Sequence, residues 1–154
     1  EIPLIVLLDQ ITDVRNFGAI ARSCECMGVH AIIIPQKGAA QINSDAVKTS
    51  VGALQKIPIC KVKSLYHTCL YLKECGIQVV SASEKFAEQC FSFDFTKPMV
   101  LIMGSEEDGI SEQLLEISDG RVKIPMIGEI SSLNVSVATG ICLYEAIRQR
   151  LSVC

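Results

Sequence analysis

"IPMIGEISSLNVSVATG", residues 124–140, is the stretch on which the reading of this chain turns. Pro125 ends the strand before it, Gly128 permits a tight turn, and Ser131 or Ser132 can cap a helix. Leu133, Val135 and Val137 alternate with polar neighbours as a strand would. Followed onward, Leu133, Val137, Ile141, Tyr144, Ile147 and Leu151 fall at steps of four and three, one face of a helix, and the expected final helix covers 132–151. A cap explains one serine. It leaves Asn134, Ser136, Thr139 and Gly140 of the same helix unexplained. Small residues at those places imply close backbone approach, either to a ligand or to another helix.

Working outward, short apolar runs alternate with helical patterns along the whole chain. "PLIVLLD" (3–9), "AIIIP" (31–35), "IPICKV" (57–62), "IQVVSAS" (77–83), "MVLIMG" (99–104) and "RVKIP" (121–125) read as strands. Helices are expected over 16–28, closed by Gly28, then 44–55, 64–76 and 111–118, with 84–98 looser. Such alternation predicts an α/β domain, a parallel sheet flanked by helices on both faces. No repeat or internal linker interrupts it.

An open parallel sheet binds ligands at the carboxyl ends of its strands. Three loops there hold the unusual residues. In "DVRNFGAIARS" (13–23), Asn16 and Gly18 can supply a positive-φ turn before the helix, with Arg22 a turn further on. In "MGSEEDGIS" (103–111), Gly104 at the strand end lets a ligand approach, Asp108-Gly109 makes a turn, and Ser111 caps the next helix. The third loop is the opening stretch. Each also has a plain reading as a capped helix or a solvated acidic loop. Neither GxGxxG nor GxxxxGK[ST] occurs, so a dinucleotide fold and a P-loop have no support.

Composition narrows the class. The chain has 154 residues, 49% of them apolar and 20% charged, and a mean hydropathy of +0.38. That is greasy for a soluble monomer, and no apolar run reaches the ~20 residues of a membrane span. Burial in a subunit interface is the better account. No signal peptide is visible, and the chain starts without Met, as a piece of a longer protein would. Its eight cysteines form no CxxC pair and have only His30 and His67 to assist, so thiols in a reducing cytosol are expected rather than zinc or another metal. The net charge of −3 gives no hint of nucleic-acid binding.

Taken together, "NFGAIAR", "LIMGSEEDGIS" and "IPMIGEISSLNVSVATGICLYEAIRQR" resemble the three ordered motifs of the SpoU (TrmH) family of RNA ribose 2′-O-methyltransferases, in the SPOUT superfamily. The wording is most similar to the branch that methylates a guanosine in large-subunit ribosomal RNA, with transfer RNA the nearest alternative substrate. The resemblance implies a C-terminal trefoil knot, a cytoplasmic homodimer joined through the knot region, and S-adenosylmethionine held by the knotted loops. It places Gly104, Ile124 and Leu133 against the cofactor, with Met126 and Gly128 in the same loop. Arg22, Asn16, Glu106, Ser132 and Asn134 become the catalytic set. In the family the arginine is proposed as base; a charged Arg22 clamping a phosphate beside the ribose is the other possibility, because guanidinium resists deprotonation. Ser132 and Asn134 would then orient Arg22 and the hydroxyl. No metal is implied. Members of this branch usually carry a separate N-terminal RNA-binding domain ahead of a catalytic domain such as 1–154, so RNA binding by this acidic core alone should be weak. A catalytically silent, knotted RNA-binding module is the rival reading.

Overall fold

In a computed structural model, which describes residues 1–153, the chain forms one seven-stranded sheet with every pairing parallel. Its elements in order are β1 (Leu4–Asp9), α1 (Val14–Cys26), β2 (Ala31–Pro35), α2 (Ser44–Ser50), β3 (Ile59–Val62), α3 (Leu65–Glu74), β4 (Gln78–Ala82), β5 (Glu88–Gln89), β6 (Met99–Gly104), α4 (Glu112–Glu116), β7 (Gly120–Lys123) and α5 (Val135–Ser152). Across the sheet they run β3-β2-β1-β6-β4-β7-β5.

The apolar runs hide a two-sided alternation. Leu4, Val6 and Leu8 of β1 and Met99, Leu101 and Met103 of β6 pack with α1, α2 and α5. Leu7, Val100 and Ile102 point the other way, against α3 and α4. Buried on both faces, such strands lose the polar positions that would mark a period of two. Strand order reverses between β1 and β6, and at such a switch point the strand-end loops diverge and leave a crevice.

Several boundaries differ from the sequence reading for local reasons. Helix α1 starts at Val14 because Asp13 Oδ1 accepts from the N–H groups of Arg15 and Asn16 (2.8 and 3.0 Å). Asn16 and Gly18 therefore lie inside the helix, not in a positive-φ turn before it. Gly18 is needed for packing: a Cβ there would sit 2.7 Å from Ala46 O on α2. The helix expected over 44–55 breaks after Ser50, where Val51 (φ 53°) and Gly52 (φ 82°) both turn left-handed before a short 3-10 turn at Ala53–Gln55. The looser 84–98 segment contains β5 and a second 3-10 turn, Cys90–Ser92. The strand expected over 121–125 is β7, at Gly120–Lys123. Helix α5 begins at Val135, capped by Asn134, so neither Ser131 nor Ser132 is the cap.

Of the described cysteines, Cys24, Cys69, Cys90 and Cys142 are buried, whereas Cys26, Cys60 and Cys75 are exposed and do not act as core residues. Cys154, also counted in the sequence, lies outside the described residues. Burial pushes the thiols of Cys24, Cys69 and Cys142 up to about 12. Among the described residues no helix is long and apolar enough to cross a membrane, and no three His, Cys, Asp or Glu side chains converge as a metal site would require.

Candidate active site

At the carboxyl end of the sheet, the turns leaving β1 and β6 are bolted together. The Gln10 side chain, on a residue with φ of 62°, donates from Nε2 to Gly109 O (3.0 Å). Buried Asp9 accepts the Ser111 N–H at 2.7 Å. The turn from Ser105 to Gly109 folds back over the strand end, so a Cβ at Gly104 would lie 2.3–2.4 Å from the Gly109 carbonyl. Gly104 is thus required by the chain's own turn. The sequence reading assigned that requirement to a ligand.

A second set of bonds ties this turn to α1 and α5. Asn134 Nδ2 donates to Asn16 Oδ1 (3.1 Å) and to Glu106 Oε1 (2.9 Å). The same carboxylate oxygen accepts the Val135 N–H at 3.0 Å. Asn134 Oδ1 accepts from the N–H groups of Ser136 (3.0 Å) and Val137 (3.4 Å) and from the Ser136 hydroxyl. Both partners suit a helix N-terminus, where unpaired N–H groups and the peptide dipoles favour an acceptor and a negative charge. One asparagine therefore caps α5 and joins all three motifs.

On one side of this network lies a cleft with about 550 Å³ of atom-free space counting its open mouth. Its enclosed part is shallow, so a nucleoside enters only when the rim segment moves. Met103, Gly104, Ile124, Met126, Leu133, Val135 and Ala138 supply mostly apolar walls, with Ser132, Glu84 and Glu106 as polar ones. On the other side is an open polar hollow formed by Gln10 to Asp13, Asn16, Glu106, Glu107 and Asn134. Residues 125–133, of which Met126, Ser132 and Leu133 line the cleft, make no hydrogen bond among the described residues, so their peptide groups are free to meet a ligand.

Gly104, Ile124, Met126 and Leu133 thus line one cleft, and Ser132 lines it too. Asn16, Glu106 and Asn134 stand together at its edge. Gly128 is exposed, a Cβ added there would meet nothing within 4 Å, and it lies outside the lining. Arg22 is exposed on α1 and lines neither hollow, six residues and ~9 Å along the helix from Asn16. Neither Ser132 nor Asn134 bonds to it, contrary to the orienting role expected of them. Asp9, Gln10 and the β4-end residues Ser83 and Glu84 were missed. Asp9 and Gln10 gave a signal, two polar residues ending an apolar run. Ser83 and Glu84 gave none, since nothing in chain order sets β4 beside β6.

The match to the SpoU rRNA Methylase family model runs over residues 3–144. The chain belongs to the SpoU rRNA methylase family. Among curated relatives, the 23S rRNA (guanosine-2′-O-)-methyltransferase RlmB of Photorhabdus laumondii is 43% identical over 152 residues, covering 99% of this chain and 62% of that protein. The RlmB of Escherichia coli strain K12 is 41% identical over 148 residues, with 96% and 61% covered. This SpoU chain therefore spans about three fifths of the length of those relatives. Two solved structures superpose over 99% of it. The SpoU methyltransferase AviRb from Streptomyces viridochromogenes, in complex with the cofactor AdoMet, matches with TM-score 0.92 at 35% identity over 62% of its own chain. The A. aeolicus TrmH/SpoU tRNA modifying enzyme matches with TM-score 0.90 at 38% identity over 78% of its chain.

Proposed function

We propose that this chain transfers a methyl group from S-adenosylmethionine to a ribose 2′-hydroxyl of RNA, with a guanosine of ribosomal RNA as the target. The observation that carries the reading is the meeting of all three motifs through Asn134 at the rim of one cleft. The two RlmB relatives support the guanosine, and the AdoMet complex of AviRb supports the cofactor.

The residues present suit that cofactor. Apolar walls accept the adenosine, free peptide groups of 125–133 can read its edges, and Glu84 and Glu106 offset the charge of a sulfonium. Bound S-adenosylmethionine supplies a methyl group already activated by the positive sulfur. The chain must add alignment with the ribose oxygen and an exit for its proton. Gly104, Ile124, Met126 and Leu133 form the cofactor walls, and Gly128 gives the rim freedom to close. Asn134, held by Glu106 and Asn16, fixes the start of α5 beside the reacting ribose. Ser132, free of internal bonds, is available to the hydroxyl.

Arg22 acts as a charged phosphate clamp, and it acts from a neighbouring subunit. Its place outside both hollows of its own chain argues for this. So does α5, whose Val137, Ile141, Tyr144 and Leu151 leave an apolar stripe in solvent while Val135, Thr139, Cys142, Leu143 and Ala146 face the core. A Cβ added at Gly140 on that helix would lie 3.8 Å from the hydroxyl of Ser23, which is next to Arg22. A second copy covering the stripe would bring its own Arg22 to the site. We infer a homodimer on these grounds; membership of the family carries the reading of a C-terminal segment threaded as a trefoil knot, and the free thiols that of a reducing, cytoplasmic location. The 154 residues are the catalytic domain, and part of the RNA affinity comes from outside them, in keeping with the greater length of the relatives.

Titration calorimetry with S-adenosylmethionine tests the core of this reading. Binding that Leu133→Asp abolishes supports it; no binding by the wild-type chain favours the silent knotted module. A transfer-RNA target is the second reading, carried by the A. aeolicus neighbour, and methylation of transfer RNA with ribosomal RNA untouched would select it.

A further inference from the structure

The net charge of −3 conceals a division. Between residues 27 and 64 there are five lysines, Lys37, Lys48, Lys56, Lys61 and Lys63, and one acid, Asp45, a net of +4. The rest of the chain holds nine basic and sixteen acidic residues, a net of −7. All five lysines are exposed, and none of their ammonium groups makes an ion pair or hydrogen bond among the described residues. Elsewhere Lys73, Lys97 and Arg148 have each found a carboxylate.

Topology sorts the five. Gln36 N–H donates to Val62 O (2.9 Å), which fixes the chain leaving β2 against the end of β3. Lys37, Lys61 and Lys63 therefore gather at the carboxyl ends of these two strands, the end of the sheet that holds the candidate site. Lys48 lies on α2. Lys56 precedes β3 and belongs to the opposite end. Since β3 lies two strands from β1, the cluster stands ~10 Å to one side of the loop that leads from β1 through Asp13 into α1. On the other side, beyond β1, the strand ends carry Glu84, Glu106, Glu107 and Asp108.

From this polarity we propose that Lys37, Lys61 and Lys63 form a phosphate track, along which the RNA strand leaves the site across β2 and β3 and away from β6 and β4. The inference rests on the methyl-transfer reading above and gives that RNA a direction. A polyanion beside an acidic ridge and an unpaired basic cluster lowers its energy by lying on the cluster and releasing its counterions. Base identity plays no part in such contacts.

The test uses a fluorescein-labelled single-stranded decauridylate, with fluorescence anisotropy followed from low to moderate salt. Each single-strand phosphate contact contributes about 0.7 to the slope of log affinity against log salt, so Lys37→Gln/Lys61→Gln/Lys63→Gln should lower that slope by about 2. A control at the far strand ends, Lys85→Gln/Lys123→Gln, should leave it unchanged. An unaltered slope in the triple variant, an equal loss in the control, or no binding by the wild-type chain at low salt overturns the track. Calorimetry with S-adenosylmethionine on the same samples separates the two claims. Wild-type cofactor binding with any of those three results sinks the track alone; absent cofactor binding sinks the methyl-transfer reading.

Discussion

Glu106 shows how one side chain can be both structural and functional. Its carboxylate accepts from Val135 N–H and Asn134 Nδ2, so it anchors α5 as much as it faces the cleft. Glu106→Ala should cost about 1 kcal/mol, the usual loss on deleting a helix-terminal acceptor, read as a shift in the urea midpoint, and should weaken cofactor binding as well. Gly104→Ala is expected to be the harsher change. Its new methyl meets the backbone of Gly109 and Ile110, which cannot rotate away, and overpacking of this kind costs ~1–3 kcal/mol. Substantial turnover retained by Arg22→Lys, with the pH profile of methyl transfer unmoved, would argue against Arg22 as the base and favour the clamp; a profile shifted toward the lower pKa of lysine would argue for the base. The thiols give a separate check. Cys26, Cys60 and Cys75 should be alkylated by iodoacetamide at pH 8 in the native protein. Cys24, Cys69 and Cys142, pushed up to about 12 and shielded, should react only after unfolding, as peptide mass mapping would show.

Among the elements, the strands were the legible part. "PLIVLLD" and "MVLIMG" are buried on both faces and could be little else in an alternating chain. Helix ends were less legible, because they depend on which polar side chain wins a cap. Asn134 caps α5 in preference to Ser131 or Ser132, and Asp13 caps α1, which starts at Val14 and not at the expected position 16. The candidate site was legible where motif residues sit on strand ends, and illegible where it depends on strand neighbours, as with Glu84. The rim segment 125–133 carries the clearest expectation at this scale. With no internal hydrogen bonds and a shallow cleft behind it, it should close over the cofactor, and S-adenosylmethionine should slow amide exchange there. Exchange unchanged in 125–133 but slowed elsewhere would place the cofactor in another part of the chain. In α5, Glu145 is bound by Arg148 and Gln149, and the Arg148 guanidinium foremost holds its carboxyl below the ordinary value. Its contribution is full above the unfolded carboxylate pKa and is lost as pH falls through the lowered folded one. Glu145→Gln should therefore narrow the difference in stability between neutral and strongly acid pH, measured by urea unfolding at each.

For the whole molecule, the greasy composition has a physical address. Only part of the stripe read from the sequence shares one face: Val137, Ile141, Tyr144 and Leu151 point outward, whereas Ile147 packs on the core and Leu133 precedes the helix at the cleft. Subunit burial would remove that surface from water, and Tyr144→Asp should shift sedimentation from dimer to monomer. If Arg22 works across the interface, the same variant loses methyl transfer while keeping the fold. Mixing it with inactive Arg22→Ala chains would not restore activity unless the dimer forms. Methyl transfer to a guanosine ribose is tested most directly by mass-spectrometric mapping of ribose methylation in ribosomal RNA from cells lacking this gene. A single guanosine is expected to lack its 2′-O-methyl group, restored by the wild-type gene and not by Asn134→Ala. An unchanged set of ribose methyl groups, or a loss confined to base methylation, would contradict it.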